Sequence, residues 1–594
     1  MLRDIQPYPT AEQIAASNEL ISLDTETAGS TRQTNIPVYF SWAARDLGSG
    51  AGPVITPDGF NAARRLCESP RPKVCHNLKF DLQRFDYLGF KVGGELHDTT
   101  LMHALLDEHH LEHHRLKALS RELLGRQRQD EFVLDKWRSK HLFPDIPQEV
   151  SHPYAVRDAE DALDLYYLFE PQLKEIGCWD LYRNEVAAAV AYKEIEQCGI
   201  AVDLDALTVA LKKIGDALEQ LQQQIFEALG RSFLISSPQQ LGDALADFFP
   251  LTEYTASGQL KTDKSTLEPF RDDPRMQLVL AWKFLFKAAS TLRGYYTRAA
   301  DGRVHPEYRQ TTVTGRSAAK DPPIQQIPKQ RGRITEVEVG SSEMAALCRE
   351  AFRSVRAVFI PMPGAFLLAI DYSQVEFRVF VHYTGSKRLV ELMRGGADFH
   401  KLFSEMIFGA YSERYRHITK MLSYGIIYGM SKKRARKQLA GEEHPDDIIA
   451  RYESTLPEMR VTQKRIQSVG EMRGYVKDVF GRRYRYLERA GSYILVAWLC
   501  QGTAANIKKH ALVRVREILR NRRSQIIADI HDELVFNFYP EDISLLPQIK
   551  AAMERFPEID VPITVDISGG RNLLEMKKVT LEQALSGLWK EWVR

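Results

Sequence analysis

The hydrophobic pattern of the chain changes near residue 178, and this change predicts at least two folding units. Before that point, strand-like runs such as ELISLDTE and VYFSWAA alternate with helical patterns such as LKALSRELLG, an arrangement typical of an α/β domain. Beyond about residue 300, strands and helices are mixed up to the C-terminus. A chain of 594 residues is too long for one hydrophobic core, so a division into domains is expected.

A long helix at 207–229 opens the second unit. Apolar residues recur there at spacings of four and three, which predicts a narrow seam along one helix. The seam consists of Leu207, Leu211, Ile214, Leu218, Leu221 and Ile225. Asp203 or Asp205 can cap the start of the helix and Gly230 its end. A second helix around 274–293, rich in lysine and arginine, is its predicted antiparallel partner.

Charge is distributed unevenly along the chain. Residues 1–190 hold 21 lysines and arginines against 29 aspartates and glutamates, whereas residues 191–594 hold 59 against 49. A basic body joined to an acidic part suits a polyanion-binding protein whose first part holds a carboxylate cluster. Chance segregation of surface charge is the alternative.

Cysteine usage and hydropathy indicate where the protein works. The six cysteines are scattered and form no C-x-x-C pair, which favours a reducing compartment and argues against a cysteine-ligated zinc site. The start of the chain, MLRDIQPYPT, lacks the apolar region of a secretory signal. The longest apolar stretch, 357–370, is too short and too proline-rich to span a membrane. A cytoplasmic protein without a membrane partner is therefore expected.

The segment AFLLAIDYSQVEFRV, residues 365–379, places an acid at the end of a predicted strand. The apolar run from Phe366 to Ile370 ends in Asp371, and a helical pattern follows. A carboxylate at the end of a buried strand is held rigidly where a hard cation can bind. The alternative is that Asp371 merely caps the following helix.

The segment QIIADIHDELVFNF, residues 525–538, predicts a β-hairpin with Asp532 and Glu533 at its turn. Turns often contain aspartate for backbone reasons alone, but both flanking strands here are apolar enough to lie in a core. Asp371 and Asp532 are therefore predicted to share two Mg²⁺ ions roughly 3.5–4 Å apart, which would activate a 3′-hydroxyl and stabilise the leaving pyrophosphate.

Basic and aromatic residues recur at every fourth position of RHITKMLSYGIIYG, residues 416–429. They are Arg416, Lys420, Tyr424 and Tyr428. On a helix they would form one slowly winding stripe roughly 18 Å long. The stripe suits a nucleoside triphosphate, with its phosphates on the cations and its sugar and base against the tyrosines. The alternative is a helix face that packs on a neighbouring element.

Together these segments resemble the family A, or polymerase I-type, DNA polymerases. DYSQVE at 371–376 is similar to the family's motif A, the stripe segment at 416–429 to its motif B, and HDE at 531–533 to its motif C. Further matches in the family's order are VTGRSAAKDPPIQQIP at 313–328, ADFH at 397–400 and QGTAA at 501–505. The resemblance runs from about residue 180 to the end and implies a right-hand architecture of palm, fingers and thumb.

The resemblance also implies a role for each matching residue. Asp371 and Asp532 would be metal ligands, assisted by the backbone carbonyl of Tyr372. Lys420 would bind phosphate and protonate the leaving pyrophosphate, and Glu376 would exclude a 2′-hydroxyl as the steric gate. The residues implied in nucleotide binding are Arg416, Lys420, Tyr424, Tyr428, His400, Glu376 and Gln374. Those implied in DNA binding are Arg316, Gln326, Gln501, His531 and Glu533.

Some positions depart from the family's usual pattern. Tyr493, Ala497 and Gln326 replace residues that are more common there, which leaves the detail of minor-groove checking open. Residues 329–352 resemble an insertion between two motifs. An N-terminal flap-nuclease domain is absent, so the chain would not remove RNA primers. This absence, together with Tyr424, suggests a phage origin.

Acids also gather in the first 178 residues. Asp24 and Glu26 end an apolar strand in LDTET, and residues i and i+2 of a strand point to the same face. Two acids side by side are unfavourable without a cation between them. Asp81 follows in HNLKFD, and YAVRD adds Tyr154 and Asp158 one helical turn apart.

This ordered set resembles the DEDD exonuclease superfamily, Tyr-type, the usual proofreading module of family A. The resemblance implies an RNase H-like fold, metal ligation by the four acids, and orientation of the attacking water by Tyr154. Asp161 competes with Asp158 for the last position, but only Asp158 follows a tyrosine by four residues.

Two charged runs are given structural interpretations. HHLEHH at 109–114 contains the i,i+4 pairs His109/His113 and His110/His114, a spacing that can bind a metal. Because it precedes the LKALS helix, we interpret it as a solvated loop. KKRARK at 432–437 is interpreted as a solvated face and not as a targeting signal.

The sequence thus predicts a multidomain protein of α/β and α+β class. A 3′→5′ exonuclease domain at 1–178 precedes a polymerase domain at 179–594. Within the latter, the thumb is expected at about 203–297, the palm at about 298–384 and 493–594, and the fingers at about 385–492.

The implied cofactor is Mg²⁺, two ions in each site, with Mn²⁺ as an alternative. The implied partners are primer-template DNA, dNTPs and an unidentified processivity or replisome factor. The expected protein is a monomer that works in the cytoplasm, or in the host cytoplasm if it is phage-encoded.

A single-subunit RNA polymerase shares such a palm, but Glu376 and the exonuclease favour deoxynucleotides. An exonuclease with a non-catalytic DNA-binding body would not need the stripe at 416–429.

Overall fold

The computed structural model describes residues 8–29, 35–110, 114–327, 342–395, 398–439 and 441–593. Within these ranges the strands form two five-stranded sheets and three two-stranded ribbons. The two larger sheets lie in different parts of the chain, and each packs against helices.

The first sheet has the order β3-β2-β1-β4-β5. Its strands are β1 (Ile21–Thr27), β2 (Pro37–Ala44), β3 (Gly48–Pro53), β4 (Lys73–Cys75) and β5 (Leu96–Asp98). The central β1 pairs antiparallel with β2 and parallel with β4. The helices of this part are Ala11–Ala15, Pro57–Glu68, Leu78–Tyr87, Thr99–Leu106, Leu116–Leu123, Gln129–Arg138 and Gln148–Glu175. The α/β class predicted from the alternating pattern is confirmed.

One helix joins the two parts of the chain. Trp179–Cys198 follows Gln148–Glu175 after a short connection. Its first half contributes Tyr182 and Val186 to the core around the first sheet. Its second half contributes Tyr192 and Ile195 to the core of the rest of the chain. The two hydrophobic cores therefore meet along a single helix.

The predicted pair of long helices is present. Leu204–Leu229 packs along Pro274–Arg298. The side chain of Asp203 caps the first helix by accepting a hydrogen bond from the backbone N–H of Ala206 at 2.9 Å, and Gly230 ends it with a φ of 69°. The apolar seam faces the partner, because its residues are buried or packed against the core. Two short helices, Pro238–Ala246 and Lys264–Leu267, lie between the long ones in sequence.

The second large sheet is antiparallel, in the order β13-β14-β10-β15-β16. Its strands are β10 (Phe366–Tyr372), β13 (Gln525–Ile530), β14 (Glu533–Phe538), β15 (Val565–Gly570) and β16 (Lys577–Val579). The ribbons pair β6 (Ile200–Ala201) with β7 (Arg303–Val304), β8 (Glu307–Arg309) with β9 (Ala318–Lys320), and β11 (Tyr475–Lys477) with β12 (Arg483–Arg485). In the centre of the sheet, Phe366–Ile370 is buried throughout, which explains its unbroken apolar sequence.

The remaining helices surround this sheet and extend beyond it. They are Ser342–Ala357, Val375–Thr384, Lys387–Arg394, Phe399–Phe408, Glu413–Ile427, Lys432–Gln438, Pro445–Thr455, Pro457–Arg473, Ile494–Ile518, Leu546–Glu554 and Leu581–Leu585. The C-terminal part of the predicted insertion at 329–352 belongs to the first of them, and residues 329–341 lie outside the described ranges. Among the described helices, none combines the length and apolar character that crossing a membrane requires.

The histidine run is not a solvated loop, so that interpretation is wrong for the residues that the structure describes. His114 is 3% exposed and lies against His103, which is 6% exposed and packs on the ring of Phe169. His110 is half-buried beside them. The sequence could not show this packing, because His103 belongs to the preceding helix. Residues 111–113 lie outside the described ranges.

The other charged run, KKRARK at 432–437, forms an exposed helix in which only Ala435 is buried, so the predicted solvated face is present.

Candidate active sites

The acids predicted in the first part of the chain converge on one site. Asp24 and Glu26 lie on β1, and Asp158 lies on the helix Gln148–Glu175 that packs across this strand. One carboxylate oxygen of each lies within 4.8 Å of the others. Asp81 approaches from the helix Leu78–Tyr87 and accepts hydrogen bonds from the backbone N–H (3.0 Å) and hydroxyl (2.7 Å) of Thr25. The strand residue between the two acids therefore anchors the fourth acid.

The electrostatics of this cluster favour a bound cation. Burial raises the pKa of Asp24 well above its ordinary value, and the neighbouring carboxylates raise it further. Burial also raises the pKa of Glu26 to about 7 and that of Asp81 to about 7. Buried carboxylates at such short separations need protons or cations to reduce their repulsion. Three convergent carboxylate oxygens are also the ligand type that hard divalent ions prefer, so the residues fit such an ion.

Three basic side chains enter the same cluster. Lys117 is hydrogen-bonded to Asp158, the Arg128 guanidinium lies 2.7 Å from the other Asp158 oxygen, and the Arg138 guanidinium lies 2.6 Å from Glu26. Burial acts to raise the pKa of Asp158, but Lys117 and Arg128 together lower it below its ordinary value. The cluster is thus partly neutralised by the chain itself.

Tyr154 lies at the same cluster, one helical turn before Asp158. It is buried, and its ring centre lies 4.7 Å from the Lys117 ammonium and 5.2 Å from the Arg138 guanidinium. Burial raises the pKa of its hydroxyl, which stays protonated at neutral pH. Asp161, the competing acid, pairs with Arg126 and Arg128 and does not belong to the group of converging carboxylates. The structure therefore brings together all five residues that the DEDD pattern predicted.

In the second sheet, carboxylates line up across three adjoining strands. Asp371 is the sixth residue of β10, opposite Glu533 of β14 and Asp566 of β15. Directly opposed residues of a sheet point to the same face, so these three acids share one. Asp532 occupies the turn of the predicted hairpin, and its carbonyl accepts a hydrogen bond from the backbone N–H of Tyr372 at 3.1 Å. The hairpin turn is therefore tied directly to the end of β10.

A buried network of one ion pair and several hydrogen bonds stabilises that turn. Asp529 is fully buried on β13 and accepts hydrogen bonds from Lys508, from the Tyr192 hydroxyl at 2.6 Å and from the Ser317 hydroxyl at 2.7 Å. The Lys508 ammonium also donates to the carbonyl of His531 at 2.6 Å. His531 has a φ of 57°, the left-handed conformation that this tight turn requires. The backbone that carries Asp532 is thus fixed by groups from distant parts of the chain.

The basic and aromatic stripe is formed, with one correction. Arg416, Lys420 and Tyr424 lie on the helix Glu413–Ile427, but Tyr428 is the residue that follows its last turn. The helix ends there because Gly429 adopts a φ of 75°. Tyr428 nevertheless continues the line, since its ring stacks on that of Tyr424 with centroids 6.1 Å apart. The Lys420 ammonium lies 5.8 Å from the centre of the Tyr424 ring.

His400 and Arg416 occupy the cationic end of the stripe. Arg416 forms an ion pair with Asp398 at 2.6 Å, and Asp398 in turn accepts a hydrogen bond from the backbone N–H of His400 at 3.0 Å. The His400 ring lies 5.7 Å from Tyr424 and is fully buried, and its two ring nitrogens have no hydrogen-bond partner among the described residues. Burial lowers its pKa to about 4, so it is neutral at pH 7.

Glu376 connects the stripe to the strand that carries Asp371. It lies in the first turn of the helix Val375–Thr384, and its carboxylate accepts a hydrogen bond from the Tyr428 hydroxyl at 2.6 Å and another from Arg316. Gln374 precedes this helix with a φ of 54°, and its side-chain oxygen is buried without a partner among the described residues. Glu376 therefore lies between the end of the stripe and Arg316.

The residues predicted to contact DNA lie on elements that flank the hairpin. Gln326 ends the short 3-10 helix Ile324–Gln326, which packs near β13, and Gln501 lies on the helix Ile494–Ile518. The other three are already described: Arg316 bonds to Glu376, His531 lies in the turn and Glu533 begins β14.

Comparison with protein-family models decides the family. The model described as DNA polymerase family A matches residues 204–575, more than half of the chain. The chain belongs to DNA polymerase family A. A second model, described as 3′-5′ exonuclease, matches residues 6–174 of this family A chain, the part that holds the Asp24 cluster. The family and the order of its two domains, as predicted from the motifs, are confirmed.

Individual relatives agree with this assignment. The family A chain is 29% identical over 463 residues to DNA polymerase I, thermostable, from Thermus filiformis. The aligned region covers 73% of this chain and 53% of that protein. It is 27% identical over 596 residues to DNA polymerase I from Pseudomonas aeruginosa, and this alignment covers 93% of this chain and 63% of that protein. The chain thus spans between half and two thirds of the length of these relatives.

Among solved structures, the chain has the fold of the POL domain of Pol1 from M. smegmatis in complex with DNA primer-template and dNTP. The TM-score is 0.80 at 24% sequence identity, and the match covers 96% of this chain and 99% of that one.

Several residues of the two sites in this family A chain were not found from the sequence. Arg128 and Arg138 contact the acids from the two ends of a segment without a recognisable motif, the first just before the helix Gln129–Arg138 and the second at its end. Asp566 lies on a strand that the motifs do not include. Asp529 did leave a signal, because it is the one charged residue in the strand QIIADI and is flanked there by apolar residues. Its position two residues before His531 could have identified it.

Proposed function

We propose that this chain is a template-directed DNA polymerase that extends a primer 3′ end with deoxynucleotides and removes misincorporated ends at a separate 3′→5′ exonuclease site, in DNA replication or repair. The observation that carries the proposal is the row of carboxylates beside the stripe, connected through Glu376. It is supported by the family match and by the relatives that are named DNA polymerase I. The solved neighbour, which holds primer-template DNA and dNTP, supports the same partners.

The subdivision into palm, fingers and thumb belongs to this proposal. The palm (about 298–384 and 493–594) contains the second large sheet, the fingers (about 385–492) contain the stripe, and the thumb (about 203–297) contains the paired long helices.

We also propose that the chain acts as a monomer in the cytoplasm. All six of its cysteines are free thiols, which suits a reducing compartment.

The families matched here depend on divalent metal ions, and the carboxylates fit such ions. Asp371, Asp532 and the carbonyl of Tyr372 would hold them in the polymerase site, and Asp24, Glu26, Asp81 and Asp158 in the exonuclease site. We propose Mg²⁺, two ions per site, with Mn²⁺ as a substitute. Bound ions would lower the pKa of the attacking oxygen and neutralise charge on the leaving group.

The side chains of the stripe would bind and orient the incoming nucleotide. Arg416 and Lys420 present positive charge to the phosphates, and the buried ring nitrogens of His400 offer further hydrogen bonds. Tyr424 and Tyr428 form a stacked surface for the sugar and base. Lys420 is also placed to donate a proton to pyrophosphate as it leaves.

Glu376 would exclude a sugar that carries a 2′-hydroxyl, because its carboxylate is held between Tyr428 and Arg316 at the end of this surface.

In the exonuclease site, the protonated hydroxyl of Tyr154 would orient the attacking water. The five DNA-binding candidates would contact the primer and template strands, where minor-groove acceptors are common to every correct pair.

Loss of single carboxylates tests the proposal. Asp371→Asn or Asp532→Asn should abolish primer extension and leave digestion of single-stranded 3′ ends intact, because the amide keeps the shape but loses the charge. Asp24→Asn combined with Glu26→Gln should do the reverse. Asp560→Asn is the matched control, since Asp560 is exposed and lies outside both groups of acids, and it should retain most extension.

Each variant is measured with dNTPs and with rNTPs, after circular dichroism has shown that it is folded. Loss of both activities in a folded single-site variant would contradict the two-site proposal. Extension that prefers rNTPs would favour the RNA polymerase-like alternative, and absence of any extension by the parent would favour an exonuclease with a non-catalytic body.

A further inference from the structure

Three histidines form a cluster apart from both groups of acids. His103 lies in the last turn of the helix Thr99–Leu106, His110 follows in the connecting segment, and His114 lies just before the helix Leu116–Leu123. One ring nitrogen of each lies within 4.8 Å of the others, and the Nδ1 atoms of His103 and His114 are 2.9 Å apart. This convergence brings together one residue of the helix Thr99–Leu106 and two residues that lie between this helix and the next.

The ring nitrogens of the cluster are suited to metal coordination. His103 is 6% exposed and His114 is 3% exposed, so the ring nitrogens of both are shielded from water. The Nε2 atom of His110 lies 2.8 Å from the Glu122 carboxylate, and its Nδ1 atom is buried without a hydrogen-bond partner among the described residues. A buried nitrogen without a partner is unfavourable unless something else occupies the space that it faces.

We propose that His103, His110 and His114 bind one transition-metal ion of the Zn²⁺ class through their Nδ1 atoms. Three imidazoles without a carboxylate ligand favour Zn²⁺ over Mg²⁺, which prefers oxygen. In a tetrahedral zinc site the ligand nitrogens lie about 3.3 Å apart, so the Nδ1 atoms of His103 and His114 would separate slightly from their present 2.9 Å. Glu122 would orient His110 through its Nε2 atom, as carboxylates do for metal-bound histidines. A water molecule would complete the coordination.

The position of the cluster indicates what the ion would do. The connecting segment also carries Glu108, whose carboxylate accepts a hydrogen bond from the backbone N–H of Arg485 at 2.6 Å, and His109, whose ring lies 5.1 Å from Trp498. These contacts join the exonuclease part to the polymerase part. After the cluster in sequence, the helix Leu116–Leu123 carries Lys117, which donates a hydrogen bond to Asp158 of the exonuclease site. The ion would therefore fix a segment that connects the domain junction to the exonuclease site.

Zinc binding by the full-length chain tests the proposal. The chain is freed of metal with a chelator, incubated with ZnCl₂ in the presence of excess Mg²⁺, and dialysed, and its zinc content is measured by mass spectrometry. We expect one zinc per chain. His110→Gln should weaken zinc binding at least tenfold and lower the melting temperature of the zinc-loaded form, and Glu122→Gln should weaken binding about tenfold.

His109→Gln is the matched control, because it removes a histidine from the same segment but none from the cluster, and its zinc content should equal that of the parent. Asp24→Asn combined with Glu26→Gln should also retain its zinc, which separates the cluster from the carboxylate site. Zinc lost in that double variant, equal affinities in His110→Gln and His109→Gln, or no zinc retained by the parent would overturn the proposal.

Cobalt substitution gives a second measurement that does not depend on the folding of any variant. Co²⁺ bound by three imidazoles in tetrahedral geometry should give the parent a strong visible absorption band. A weak band typical of six oxygen ligands would instead show that the ion binds only at the acids and would overturn the proposal.

Discussion

The Tyr428 hydroxyl donates a hydrogen bond to the Glu376 carboxylate at 2.6 Å, and Arg316 occupies the other oxygen of the same carboxylate. Glu376 is 7% exposed, so its side chain has little freedom to move. Tyr428, the last residue of the stripe, thus holds Glu376, which lies in the first turn of the helix after Asp371. This contact connects the stripe to the strand that carries Asp371.

Replacing Glu376 should change the choice of sugar. Glu376→Ala removes the side-chain bulk that would collide with a 2′-hydroxyl, so we expect incorporation of rNTPs relative to dNTPs to rise roughly tenfold or more. The measurement is the ratio of the two incorporation efficiencies in the variant and the parent. Tyr428→Phe keeps the carboxylate and loses one hydrogen bond, so it should change the ratio less. An unchanged ratio in Glu376→Ala would remove this residue from the gate role.

Tyr424 should determine how dideoxynucleotides are treated. The 3′-hydroxyl of a dNTP can hydrogen-bond to its own phosphate oxygens, and a dideoxynucleotide leaves that polar position unpaired in a desolvated pocket. Such a loss costs about 1–3 kcal/mol, or roughly ten- to a hundredfold in rate. A tyrosine hydroxyl can supply the missing partner, whereas phenylalanine cannot. We expect the parent to accept ddNTPs nearly as well as dNTPs and Tyr424→Phe to restore discrimination, measured by chain termination over a range of ddNTP:dNTP ratios. Equal, strong rejection by both would show that Tyr424 does not contact the sugar.

The stability of the metal-free chain should fall as pH rises through the range in which its buried acids titrate. Glu26 and Asp81 bind protons more tightly when folded, so the folded state holds more protons than the unfolded state between about pH 4 and about pH 7. The free energy of unfolding therefore decreases over this interval.

Melting temperatures recorded with a chelator at pH 5 and pH 8 check this dependence, and added Mg²⁺ or Mn²⁺ should raise the value more at pH 8. Asp24→Asn combined with Glu26→Gln should flatten the dependence, because the neutral amides have no protons to lose. A pH profile identical in parent and double variant would exclude the cluster as its source.

Breaking the buried pair beneath the hairpin turn should destabilise the fold. Lys508→Met leaves the Asp529 carboxylate buried without its cation, and loss of one partner of such a pair costs about 3–5 kcal/mol. The free energy of unfolding in guanidinium chloride measures this change. Adding Asp529→Asn to Lys508→Met should recover part of the loss, since the charge is then removed. If the single variant unfolded at the same denaturant concentration as the parent, the network would not support the turn.

The parts of the sites that could be predicted were those with a local pattern. Asp371 follows its own strand, Asp532 lies in its own hairpin, and the residues of the stripe repeat every four positions, so each position follows from its neighbours in sequence. Arg138, by contrast, meets Glu26 across 112 residues, and no local pattern encodes such a contact. The helix boundary before Tyr428 was missed because the fourfold repeat concealed the effect of Gly429.

The helix Trp179–Cys198 contributes to both hydrophobic cores, and this sharing bears on how the chain unfolds. Its Glu185 is buried between Arg482 and Lys509, and its Glu196 bonds to Lys79 of the first part. Melting of either core would therefore strip apolar and ionic partners from the other. The two parts of the chain should lose structure in one cooperative transition, and slow amide hydrogen exchange along this helix should report the stability of the whole molecule.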